Sequence, residues 1–190
     1  GEGSNFDVAN ESITEKFLDI LHDSVRLRLR SDVPISVHVS GGLDSSVMLS
    51  AINQVLGGQD NLKAYSYYYD VEKYDEKKFS EAILKEGNWN AEFCQFHAAD
   101  VPSTIEEAMW FQEQPFPGII TLAKHKLIKQ NSDNSAKVIL EGQGGDDIAG
   151  GYRYSFASHI LDLVESGQSE MAVNEIKSFG RLNGFNDGEN

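Results

Sequence analysis

A pair of glycines directly after a short β-branched run is the feature that most constrains the fold of this chain. Residues 35–39 follow a proline and have the length and composition of a buried strand, which Ser40-Gly41-Gly42 ends. Apolar residues then recur at helical spacing over 44–56, and Gly57-Gly58 stops that pattern. A strand, a tight turn and a helix in immediate succession predict the first part of a β-α-β unit.

The rest of the chain continues this alternation of strand and helix. Further strands are predicted at 62–69, 91–96 and 137–140, and further helices at 12–30, 75–85, 103–111, 120–129, 155–165 and 169–179. Strands separated by helices need crossover connections, which favour parallel strands. The predicted fold class is therefore α/β, with a parallel sheet and helices on both faces.

Length and composition favour one domain with its own core. The chain has 190 residues, of which 40% are hydrophobic, and such a length is more typical of one domain than of two. We predict that this domain covers residues 11–182. Residues 1–10 are interpreted as a linker or cloning remnant, and the polar residues 183–190 as a flexible tail.

Charge and cysteine content exclude several classes of function. A net charge of −14 repels phosphate backbones and disfavours nucleic acid as a partner. Cys94 is the single cysteine, so the chain has neither a disulfide framework nor a cysteine zinc site of its own. No apolar stretch approaches the roughly 18 residues of a membrane span. Because a signal-peptide pattern is also missing, the predicted location is the cytoplasm.

The segment Ser40-Gly41-Gly42-Leu43-Asp44-Ser45-Ser46, here called the first glycine loop, has the chemistry of a phosphate site. Its glycines allow close approach of the main chain, and the following helix offers amide groups and the positive end of its dipole. Ser40, Ser45 and Ser46 add hydroxyl donors. The Asp44 carboxylate would repel phosphate unless Mg²⁺ lies between them. Alternatively, Asp44 caps the helix and the glycine pair is a plain turn.

A second glycine loop, residues 142–151, follows the predicted strand 137–140. In a parallel sheet, loops that follow strands lie at the same edge, which is where ligands bind in open α/β folds. His38 and the tyrosines of 65–69 are interpreted as structural residues of the strands, with Tyr67 as a possible wall of a nucleotide pocket. Two glycine loops after two strands predict a shared binding site.

The first loop lacks the Gly-Lys-Ser/Thr ending of a Walker loop and the third glycine of the dinucleotide pattern. It resembles instead the pyrophosphate loop of the N-type ATP pyrophosphatases, and two further segments resemble the asparagine synthetase family in order and spacing. The resemblance covers roughly residues 12–156. The matching segments are Asp32-Val33-Pro34 with the first loop, Glu113-Gln114-Pro115-Phe116, and Leu140-Glu141-Gly142-Gln143-Gly144-Gly145-Asp146-Asp147 with Gly150-Gly151-Tyr152-Arg153-Tyr154.

The resemblance implies a PP-loop ATP pyrophosphatase fold, of the adenine-nucleotide alpha-hydrolase type, and a ligase reaction. It implies that main chain near Val39, Tyr67 and Gly142 holds the adenine of ATP, that the first loop holds the β,γ-phosphates, and that Asp44 and Asp146 share Mg²⁺. A carboxylate substrate, aspartate or a related acid, would attack the α-phosphate to give an acyl-adenylate and pyrophosphate. Ammonia or an amine would then displace AMP.

Three departures from the family leave other functions open. Gln143 stands where asparagine synthetases have Glu, and an amide cannot act as proton acceptor for an amine. The chain has no N-terminal cysteine nucleophile, so ammonia would come from a glutaminase domain outside this chain. A later family lysine has no counterpart here. The predicted catalytic residues are Gln143 and Asp146. The alternatives are a catalytically incomplete nucleotide-binding module or fragment, and an amidotransferase acting on a sugar acid or peptide.

Overall fold

A computed structural model describes residues 11–58, 62–71, 75–134 and 136–184. Residues 1–10 and most of the predicted tail lie outside the described residues. The strands are β1 Ile35–His38, β2 Lys63–Tyr69, β3 Asn90–Phe96 and β4 Val138–Leu140. The helices are α1 Glu11–Arg28, α2 Leu43–Leu56, α3 Lys77–Glu86, α4 Val101–Gln112, α5 Gly118–Asp133, α6 Gly145–Ala149, α7 Arg153–Glu165 and α8 Ser169–Leu182, with a 3₁₀ turn at Ala98–Asp100.

Within the described residues the strands form one parallel sheet in the order β3-β2-β1-β4. Val37 at the centre of β1 pairs with Ala64 of β2 on one side and with Leu140 of β4 on the other. The chain therefore builds outward from β1 to β3 and then returns to the opposite side of β1. Between β1 and β4 the strand order reverses, and ligands of open α/β sheets bind outside the strand ends at such a switch point.

Alternate strand residues pack against different helices, which confirms the prediction of helices on both faces. Val37, Val39 and Ala64 belong to a core cluster with residues of α1, α2 and α3. Tyr65, which follows Ala64 on β2, and Phe96 on β3 belong to two other clusters, which contain residues of α4 and α5. Because successive strand side chains point to opposite sides of a sheet, the two sets of helices cover its two faces.

The helix bounds differ from the sequence prediction by up to four residues at an end: α5 covers Gly118–Asp133, where 120–129 was predicted. α4 begins at Val101 instead of 103, with Pro102 in its first turn. Proline is tolerated at that position because the first-turn amides have no partner within the helix. The second glycine loop contains α6, a helix of five residues that the sequence did not predict. Gly150 ends it in the left-handed conformation, with φ +69°.

The chain divides into two compact units, residues 1–142 and 143–190. The first unit contains the sheet. In the second, Phe156 of α7 stacks on Phe179 of α8 with ring centres 4.2 Å apart, and Leu163 and Ala172 are buried. A single domain over 11–182 stays a prediction. No helix among the described residues is long and apolar enough to cross a membrane.

Candidate functional site

The first glycine loop leaves the sheet at Val39 and enters α2 at Leu43. Gly41 has φ +82°, in the left-handed region, and a Cβ on it would lie 2.5 Å from the main-chain nitrogen of Ser80 in α3. Glycine is therefore required at this position both by the backbone angle and by the space. The strand–loop–helix prediction is confirmed, with α2 beginning one residue earlier than predicted.

Serine hydroxyls hold this loop together. Ser45 Oγ donates to the Gly42 carbonyl at 3.0 Å, and Ser46 Oγ donates to the same carbonyl at 2.8 Å. The Gly42 amide donates to Ser40 Oγ at 3.2 Å. The first turn of α2 then presents main-chain amides and the positive end of the helix dipole to this edge of the sheet, which is a favourable place for an anion. Direct contact of the hydroxyls with phosphate stays a prediction.

Gly142, the first residue of the second glycine loop, lies against the first turn of α2. A Cβ on Gly142 would lie 2.7 Å from Ser45 N and 2.8 Å from the carbonyl carbon of Asp44. These distances are too short for any side chain, so Gly142 contacts the first turn of α2 through its main chain. The prediction that both loops start at the same edge of the sheet is confirmed for Gly142.

A cavity of about 510 Å³ lies beside Ser40 at the carboxyl ends of the strands. Its walls are mainly aromatic and aliphatic and include Ser40, Tyr67, Tyr69, Phe96, Ile119 and Ile120. Burial raises the pKa of the Tyr67 hydroxyl to about 12, so this phenol is neutral at physiological pH. Val39 is buried, and its amide donates to the Tyr65 carbonyl at 2.9 Å. The cavity size falls in the range of about 300–1,000 Å³ that is usual for small-molecule sites.

The remaining predicted site residues lie in different units. Asp44 stands in the first turn of α2, in the first unit. Gln143 is exposed and Asp146 is half-buried, both in the second unit. A Cβ on Gly151 would overlap the Asp146 carboxylate, which explains a glycine at that position of the second loop. That Asp44 and Asp146 come within reach of one cation stays a prediction.

Sequence reasoning gave no role to Glu141, which lies between β4 and Gly142. Its Oε1 accepts from His38 Nδ1 at 2.9 Å, and its Oε2 accepts from Lys124 Nζ at 2.6 Å. The hydrogen bond from His38 and the contact with Lys124 lower the pKa of the Glu141 carboxyl to about 2. The other ring nitrogen of His38 contacts the side-chain amide of Asn131. The sequence signal that could have pointed to Glu141 is its place directly before Gly142, the first residue of the second glycine loop.

Comparisons with known proteins agree with the family resemblance. The family model described as Asparagine synthase matches residues 16–187. A putative glutamine-hydrolysing asparagine synthetase of Methanocaldococcus jannaschii is 26% identical, over 81% of this chain and 29% of its own length. The amidase chry2 of Gibberella zeae is also 26% identical, over 88% of this chain and 27% of its own length. The chain thus spans less than a third of the length of these relatives.

Among solved structures, a glutamine-dependent NAD⁺ synthetase of Acinetobacter baumannii in complex with ADP aligns with a TM-score of 0.47 and 18% identity. That alignment covers 80% of this chain and 29% of the synthetase. The family match extends over all strands of the sheet and both glycine loops. This chain therefore belongs to the asparagine synthase family.

Proposed function

We propose that this chain is the ATP-binding synthetase region of an amide-forming ligase. ATP binds across the carboxyl ends of the strands, with its β,γ-phosphates on the first glycine loop. A carboxylate substrate attacks the α-phosphate, the bond to pyrophosphate breaks, and an acyl-adenylate forms. Ammonia or an amine then displaces AMP and leaves an amide. In a complete protein of this kind, the ammonia comes from a glutaminase domain outside this chain. We propose the cytoplasm as its compartment.

One observation carries this proposal: the cavity beside Ser40 opens at the carboxyl ends of β2 and β3, and Ser40 begins the loop that leads into the amide-rich first turn of α2. An apolar cavity with an aromatic wall suits a purine ring, and the neighbouring helix start suits the phosphates. Tyr67 lines the cavity, in keeping with its proposed place at the adenine, and Val39 directly precedes Ser40 in the main chain. The main chain of Gly142 is proposed to complete the adenine site. The family assignment supports the same use of the site.

The residue types also fit a magnesium ion. Among the described residues, no three or more histidine, cysteine or acidic side chains form a cluster that could hold a metal. Mg²⁺ in nucleotide sites needs only one or two carboxylates, because water and phosphate oxygens complete its coordination. Asp44, at the start of α2, and Asp146 would supply these carboxylates. When bound, the metal would neutralise charge on the departing pyrophosphate.

Gln143 favours a second candidate function, in which the substrate is an acid other than aspartate. Its side-chain amide offers one hydrogen-bond donor group and one acceptor, which suits binding of a substrate carboxyl better than removal of a proton from an amine. One of the relatives is named an amidase and not an asparagine synthetase. The alternative function is therefore an amidotransferase acting on an acid other than aspartate, such as a sugar acid or a peptide carboxylate.

The proposed reaction is tested by measuring pyrophosphate release. The protein would be incubated with Mg-ATP, ammonium and one member of a panel containing aspartate, sugar acids and peptides. We expect release of pyrophosphate and AMP in equal amounts, dependent on one class of acid. Release of ADP and phosphate instead would contradict an adenylate mechanism, because cleavage would then have occurred at the γ-phosphate.

A further inference from the structure

We propose that Glu141 is a positioning residue for the nucleotide: it fixes the main chain of Gly142 on the first turn of α2. This inference rests on the proposed binding of ATP at the first glycine loop. Glu141 is not expected to touch ATP. Its effect on binding would pass through the peptide that joins it to Gly142.

The carboxylate of Glu141 is held in two directions. One oxygen accepts from His38 on β1 at 2.9 Å, and the other accepts from Lys124 on α5 at 2.6 Å. Because both oxygens are engaged by different elements, the side chain cannot turn without losing a contact. The end of β4 is thereby tied to the neighbouring strand and to a helix on one face of the sheet.

His38, one of the two partners of Glu141, is itself fixed. His38 is 8% exposed, and its second ring nitrogen contacts Asn131, which is fully buried in α5. The low pKa of the Glu141 carboxyl means that the group stays ionised throughout the neutral range. Buried charged groups with satisfied partners are costly to move, since any displacement leaves a charge unpaired.

This anchor matters because Leu140 is the last residue of β4 that pairs with β1, and Glu141 follows it directly. Within the described residues, β4 is three residues long and pairs only with β1 at the edge of the sheet. Gly142 nevertheless lies so close to Asp44 and Ser45 that a methyl group would not fit. A small shift of the β4 end would therefore change the spacing between Gly142 and the first turn of α2, where the phosphates are proposed to bind.

Glu92 provides a matched control for a purely structural role. Its carboxylate accepts from Lys63, Gln130 and Asn134, and it is 33% exposed against 23% for Glu141. Glu92 lies in the half of β3 near its amino end, away from the glycine loops, which follow the carboxyl ends of β1 and β4. Removing either charge should lower stability, but only Glu141 is tied to Gly142.

The experiment compares Glu141→Gln with Glu92→Gln in two measurements. In calorimetric titrations with Mg-ATP, we expect the Kd of Glu141→Gln to rise by about tenfold or more, the usual effect of removing a residue that orients a direct ligand. The Kd of Glu92→Gln should stay at the wild-type value. In backbone amide NMR spectra without nucleotide, the Ser45 signal should shift in Glu141→Gln and not in Glu92→Gln.

Two further variants keep the test decisive if Glu141→Gln does not fold. Lys124→Gln removes one of the two contacts and should shift the Ser45 signal too, whereas Lys124→Arg keeps the charge and should restore it. An unchanged Ser45 signal in folded Glu141→Gln or Lys124→Gln would overturn the positioning role. If the wild-type protein does not bind ATP, the proposed function fails, and the NMR comparison still decides this inference.

Discussion

Replacing Gly41 by alanine is expected to lower the free energy of unfolding by roughly 2–5 kcal/mol and to remove detectable ATP binding. A left-handed backbone costs a residue with a Cβ about 1–2 kcal/mol, and an added methyl in a packed site costs about 1–3 kcal/mol more. The new Cβ would lie 2.5 Å from Ser80 N, and a main-chain atom cannot move aside as a flexible side chain can. Urea unfolding and calorimetric titration with Mg-ATP measure the two effects.

Gly57→Ala separates the backbone strain from the steric contact. Gly57 ends α2 with φ +66°, but a Cβ there would meet nothing within 4 Å. This variant should therefore lose only about 1–2 kcal/mol of stability, the cost of the left-handed angle, and should bind ATP as the wild type does. Equal losses in the two variants would show that the contact between Gly41 and α3 has no energetic importance.

Changing Gln143 to glutamate is expected to lower the rate of amide formation by roughly tenfold or more. The added charge would stand beside an incoming carboxylate, and like charges a few ångströms apart near a protein surface repel by about 1–4 kcal/mol. Gln143 is exposed, so the substitution should not disturb folding. The measurement is the rate of acid-dependent pyrophosphate release with the best acid of the substrate panel.

Gln168→Glu is the control for added charge, because Gln168 is an exposed amide at the start of α8 in the same unit. It should leave the rate unchanged. The opposite result for Gln143→Glu would be a clear gain of pyrophosphate release with aspartate, on the order of 10²–10⁴-fold, the usual contribution of a general base. That gain would identify the protein as an asparagine synthetase lacking its base and would contradict a different acceptor.

Local signals explain why the first glycine loop could be predicted from the sequence. The β-branched run and the glycine pair act over a few neighbouring residues, and the observed β1 and α2 differ from the prediction by one residue each. The start of α4 was less certain, because Pro102 suits both a loop and the first turn of a helix. α6 could not be predicted, since glycines on both sides of a five-residue segment favour a loop.

The cluster around Glu141 could not be predicted, because its members are distant in the sequence. Glu141 is 103 positions from His38 and 17 from Lys124, and no periodicity links them. His38 was predicted to be structural, and the structure confirms that it is buried with both ring nitrogens in contact. What the sequence lacks is the register of β1 beside β4, which brings Val37 level with Leu140 and His38 near Glu141.

Calorimetric titration of the folded chain with ATP in millimolar Mg²⁺ tests the central claim most directly. The strand order, the cavity beside Ser40 and the contact of Gly142 with α2 all support the proposed nucleotide site within the first unit. We therefore expect saturable binding of one ATP per chain, abolished in Gly41→Ala and retained in Gly57→Ala. The absence of any binding heat, with a wild-type sample shown to be folded by circular dichroism, would contradict the proposed nucleotide site.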